Sequence, residues 1–160
     1  MSRPGRRETF VNLRRLPHVL PLVKVCAPLV IFLALALFAG CSSVSARKVI
    51  ALDRFQHIYV EQRFNDNHRL DELIVAELKR HGRDASSGPP TMMPENTQAI
   101  MTYEARWEWD FKTYLIELNL ELHATHPRKK VADGRYYQPS IKTKGAADAI
   151  REILTLLFAK

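Results

Sequence analysis

The chain has 160 residues, 46% hydrophobic and 26% charged, the balance of one small globular domain with an appendage. Its formal net charge of +7 sits mostly at the front, where six of the 24 Lys and Arg but only one of the 17 Asp and Glu precede Cys41. From Cys41 onward 18 basic face 16 acidic residues, a net of +2, which excludes the basic footprint expected of a nucleic-acid binder.

The opening segment has the layout of an export signal. Arg3, Arg6, Arg7, Arg14, Arg15 and Lys24 precede an uncharged run of sixteen residues, Val25 to Gly40. That run is shorter than the roughly 20 residues needed to span a bilayer core. It closes as Leu37-Phe38-Ala39-Gly40-Cys41-Ser42. These residues resemble the lipobox of bacterial lipoproteins, an aliphatic residue and two small residues before Cys, with Phe38 standing where Leu is usual. The resemblance implies cleavage between Gly40 and Cys41, with a diacylglycerol thioether and a further acyl chain such as palmitate on Cys41. Residues 1–40 are then a removed signal peptide, 41–48 a lipidated tether and 49–160 a single domain. The other cysteine, Cys26, leaves with the leader, so the mature domain relies on its core alone. Ser42, rather than an Asp, after the lipidated residue implies the outer membrane, facing the periplasm, in a Gram-negative cell.

In the mature chain, Phe55 to Val60 is rich in β-formers and reads as a strand. Asn67 is a favourable N-cap for a helix carrying Leu70, Leu73, Ile74 and Leu78 at helical spacing. Lys79, Arg80 and His81 fill its last turn, and Gly82 ends it. A loop with Gly88, Pro89, Pro90 and Pro94 follows, with a brief strand over 84–86. Met101, Tyr103, Ala105, Trp107 and Trp109 alternate with Thr102, Glu104, Arg106 and Glu108, the period of a strand with one buried and one wet face. The alternation restarts with Tyr114, Ile116, Leu118, Leu120 and Leu122, so the short gap between predicts an antiparallel hairpin. A turn containing Pro127 leads to a strand over 131–138, with Asp133-Gly134 as a bulge or bend. Ala146, Ala149, Ile150, Ile153, Leu154 and Leu157 then share one face of a terminal helix that Thr143 is placed to cap. The expected fold class is α+β: an antiparallel sheet of about four strands with two helices packed on one face, in the order β-α-(β)-β-β-β-α.

Chemistry-bearing motifs are absent from the sequence. No P-loop, Rossmann glycine pattern, G-x-S-x-G or H-E-x-x-H occurs, and no His or Cys cluster has zinc-site spacing, so no catalytic residue, metal or cofactor is assigned. Tyr103, Trp107 and Trp109 fall on the apolar strand face and read first as core, with a ligand shelf as the alternative. Arg128-Lys129-Lys130 reads as a solvated turn.

The run from Leu70 to Arg135 resembles small α/β domains of envelope lipoproteins. These are the CsgG type, LpoB-like activators of penicillin-binding proteins and the N-terminal domain of TolB. In each, a helix ending near Gly precedes a strand, a long strand, a turn and another strand. The expectation is a non-enzymatic envelope lipoprotein, held to the membrane by acyl groups on Cys41 and acting on an envelope protein partner. The alternative is a carrier of a small hydrophobic ligand or lipid, with a pocket between sheet and helices lined by Tyr103, Trp107 and Trp109.

Overall fold

The computed structural model describes residues 43–139 and 144–159, so Gly40, Cys41 and the leader lie outside the described residues, as does Thr143. Six strands form one sheet: β1 Ser43–Lys48, β2 His57–Glu61, β3 Asp84–Gly88, β4 Ala99–Asp110, β5 Lys112–Thr125 and β6 Arg128–Tyr137. Helix α1 is Leu70–Arg80 and α2 is Ala146–Phe158. The spatial order is β1-β6-β5-β4-β2-β3. From β1 across to β4 every pair is antiparallel, whereas β4–β2 and β2–β3 are parallel. The sheet is therefore mixed, with six strands rather than about four antiparallel ones. The parallel pair arises because α1 lies between β2 and β3 and returns the chain to start again in the same direction.

The segment expected as a tether up to residue 48 is strand β1, paired with β6 from Ser43↔Tyr137 to Lys48↔Ala132. Its Ser, Val and Ala side chains are small and its pattern too short to stand out, so pairing, not propensity, makes it a strand. Conversely, Val49 to Gln56 is a loop, and β2 begins only at His57. The brief strand over 84–86 is the five-residue β3.

Ile58, Val60, Met101, Tyr103, Leu118, Leu120, Leu122 and Tyr136 on the sheet pack with Leu70, Ile74, Leu78, Ile150, Ile153, Leu154 and Leu157 on the helices in one core. Each such side chain contributes about 1.5–3 kcal/mol on burial. The opposite face of the sheet is wet along β1, β6 and β5 and crossed by ion pairs, including Arg47–Asp133 at 2.9 Å, Lys130–Glu121 at 3.1 Å and Arg135–Glu117 at 2.8 Å, while Tyr59 on β2 and Ile100 on β4 are buried there. Exposed pairs of this kind contribute little individually, about 0–1 kcal/mol.

Gly134 is neither bulge nor bend. It sits in register between Leu120 and Ala46, and the bulges fall instead between Arg106 and Trp107 and between Leu122 and His123. Its role is steric: a Cβ there would lie 2.2 Å from Ile153 Cγ2, so the missing side chain lets α2 sit down on β6. Replacing Gly134 with Val is expected to lower the urea midpoint, at a cost of about 1–3 kcal/mol from overpacking. Unchanged unfolding of that variant would show that α2 has room to move away.

Candidate functional site

β4 and β5 form a hairpin whose tip, Trp109 and Phe111, is exposed. Along β4 the side chains facing the helices grow steadily more open, from Met101 (0% exposed) and Tyr103 (3%) through half-buried Trp107 to Trp109 (73%). Trp107 covers itself with His68, their rings stacked at 3.7 Å and 20°. The strand period is as the sequence indicates, but there is no helix above Trp109 for it to pack on. The core reading therefore holds for Tyr103 and fails for Trp109. On β5 the bulge makes Ile116 the extra residue, which turns Leu115 into the core (1% exposed) in place of the expected Tyr114 and Ile116.

Phe111 alone joins the two strands, 95% exposed and with φ 58°. A left-handed conformation costs a non-glycine residue about 1–2 kcal/mol. Folding therefore favours Gly at this turn and water favours a polar side chain, and Phe satisfies neither. An apolar residue here helps neither the turn nor its hydration, which makes Phe111 a candidate contact residue.

Below the tip, Asp66 ties the loop after β2 to the sheet. One carboxylate oxygen accepts hydrogen bonds from the Leu70 N–H at 2.6 Å and the Tyr103 hydroxyl at 2.7 Å, and the other accepts from the His68 N–H at 2.9 Å. Asp66 thus caps α1 in the way expected of Asn67, while Arg69, with φ 53°, occupies the N-cap position itself. Burial raises the Asp66 carboxyl, but the bonds from Tyr103 and from the N–H groups of His68, Leu70 and Asp71 outweigh it and hold the group below its ordinary value. Burial, and then the bond to Asp66, push the Tyr103 hydroxyl up.

Tyr103, Trp107 and Trp109 do not make a common shelf. Tyr103 and Trp107 line a surface cleft of about 420 Å³ beside His68 and Asp66, Leu118 is buried in the core, and Trp109 stands free of both. The histidines are dispersed: His57 bonds Asp84 at 2.9 Å, His123 bonds Glu121 at 3.1 Å, and His81 lies against Phe158. Among the described residues no group of three or more His, Cys, Asp or Glu is arranged to hold a metal, and no helix is long and apolar enough to cross a membrane. Sequence reasoning missed Phe111, whose signal was an aromatic residue where a hairpin turn calls for Gly or Asn.

Neither a family model nor a curated protein matches the chain. Among solved structures it is similar to a PelC variant dodecamer from Paraburkholderia phytofirmans, with a TM-score of 0.58 and 15% identity over 75% of this chain and 100% of that one. A second PelC dodecamer crystal from the same organism gives 0.57 and 14%, over 75% and 99%. TolB from Acinetobacter baumannii gives 0.45 and 16%, over 74% of this chain and 31% of TolB. At such identities the likeness to PelC is one of fold.

Because the Asp66 carboxyl is depressed, its contribution to stability is complete above the unfolded value, about 3.9, and is lost as pH falls through the folded one. Asp66→Asn is expected to cost about 1–2 kcal/mol at neutral pH through the weakened cap. It should also flatten the acid limb of stability measured by denaturation below pH 5; an unaltered acid limb would discount the network.

Proposed function

We propose that the chain is a lipid-anchored, non-enzymatic component of the bacterial cell envelope that works through protein–protein contacts, at the outer membrane facing the periplasm. The observation that carries this reading is that the start of β1 and the aromatic tip share one end of the sheet. β1 runs parallel to β5, and Ser43 is level with Tyr137, Glu117 and Arg106 across the sheet. Cys41, two residues earlier in the sequence, is within about 7 Å of Ser43 by chain length alone. The hairpin continues five residues beyond Arg106 to Phe111, about 16 Å at the rise of a strand. A bilayer holding acyl chains on Cys41 is then within reach of Trp109 and Phe111.

Aromatic side chains favour the headgroup region, and an apolar surface buried about 5–10 Å into the interface adds to an acyl anchor. The tip would hold the domain in a defined orientation, which a flexible tether on its own does not. The likeness to PelC, crystallised as a dodecamer, supports self-association as the first protein contact to look for.

Globomycin treatment or Cys41→Ser is expected to leave an unprocessed chain that no longer fractionates with membranes as a lipoprotein; normal processing and retention would refute the reading. Trp109→Ala with Phe111→Gly is expected to reduce flotation with phosphatidylethanolamine–phosphatidylglycerol vesicles. The same pair should leave the fold intact, and Phe111→Gly alone should raise stability by about 1 kcal/mol through relief of the left-handed strain. Light scattering at rising protein concentration reports the self-association.

A further inference from the structure

A second cleft, of about 420 Å³, opens at the other end of the sheet, where β1 runs into its loop and β5 turns into β6. Buried Phe55 and Val131 lie beneath it, and Val49 and Ile50 are left 60% and 37% exposed at its wall. No Asp or Glu lines it, while Arg54, Lys129 and Lys130 do. Lys130 is shared by Glu121 at 3.1 Å and Asp133 at 3.7 Å. Among the described residues, Lys129 has no ion pair and Arg54 contacts only the Phe55 ring, at 5.5 Å. Two of the polar side chains of the wall are engaged within the fold, and His126 adds an exposed imidazole. Gln98 Oε1 accepts the N–H groups of Gln56 and His57, and the Thr125 hydroxyl donates to the Thr97 carbonyl. Apolar contact and the charges of Arg54 and Lys129, without ion pairs among the described residues, are the main things the cleft has to offer.

From this combination we propose that the cleft docks an acidic, apolar segment of a partner protein. Arg54, Lys129 and Lys130 give the cleft three cations and no carboxylate, so an occupant meets them best with several negative charges around an apolar body. A peptide alternating acidic and apolar side chains does so, whereas a fatty acid carries one charge at one end. Its orientation rests on the proposed function: with the tip end at the bilayer, the cleft faces away from it, where a soluble segment arrives unobstructed. Interfaces of this kind use the charges for partner choice and encounter rate, and the apolar centre for residence.

The test uses the full chain in phosphatidylcholine nanodiscs, titrated with a fluorescein-labelled peptide of alternating Asp and Phe and with its Lys-for-Asp counterpart, followed by anisotropy. The Asp peptide is expected to bind, more weakly as salt rises, and the Lys peptide to stay free. Arg54→Glu with Lys129→Glu should weaken binding about tenfold. Both side chains are at the surface, so the pair should keep the far-ultraviolet circular dichroism and urea midpoint of the parent. Equal binding of the two peptides, no binding, or binding unmoved by the paired substitution overturns the proposal. Displacement of the peptide by dodecanoate at lower concentration than by unlabelled peptide also overturns it, assigning the cleft to an amphiphile. Self-association abolished by the paired substitution, without peptide binding, overturns it in favour of a second copy. The Cys41→Ser chain should bind the peptide as well as the parent does, so failure of the lipid anchor and failure of the cleft are read separately.

Discussion

A strand advances about 3.4 Å per residue and a helix 1.5 Å, and this mismatch shapes the molecule. β4 and β5, with 12 and 14 residues, are about 40–48 Å long at that rise. α1 and α2, with 11 and 13, reach about 16–20 Å. Two such helices cannot roof the whole hairpin. They cover its inner half, where Met101, Tyr103, Leu118, Leu120 and Leu122 are buried; further out Leu115 is still buried and Trp107 stacks on His68, and only the tip, Trp109 and Phe111, is left exposed. Close seating of α2 at Gly134 makes the covered half tight.

The result is a domain with two unlike ends. At one, β1 starts level with Arg106 and the hairpin runs five residues further to the exposed Trp109 and Phe111, with Trp107 stacked on His68 and Asp66 bonded to Tyr103 below them. At the other, the β5–β6 turn and the loop after β1 bring apolar wall and cations together. The wet sheet face between them is neutralised by cross-strand pairs such as Arg135–Glu117, so neither end is linked to the other by a continuous field of one sign.

Much of the fold was legible because strand and helix periods are written directly in side-chain polarity. The hairpin, α1 and α2 each declare their buried face within a dozen residues. β1 did not, since Val44 and Ala46 are its only apolar residues, too short an alternation to stand out, and the segment is a strand by pairing with β6. The cap of α1 fell to Asp66 rather than Asn67, with Arg69 in a left-handed conformation and the hydroxyl of Tyr103, arriving from β4, bonded to the same carboxylate. At Ile116 a single extra residue inverted the expected faces, which no local pattern reveals because alternation continues on both sides of a bulge.

The sequence by itself determined the two helices and the central strands as element types, the alternation of β4 and of β5 from Leu118 to Leu122, the concentration of positive charge ahead of Cys41 and the resemblance to a lipobox around it. Those properties depend on neighbours in the chain. Tertiary structure decided that β2 and β3 are parallel, that Trp109 is exposed although it shares a face with buried Tyr103, and that Val49, Arg54 and Lys129 meet around one cleft. Those properties depend on which residues distant in sequence come together and on how far each layer extends over the next.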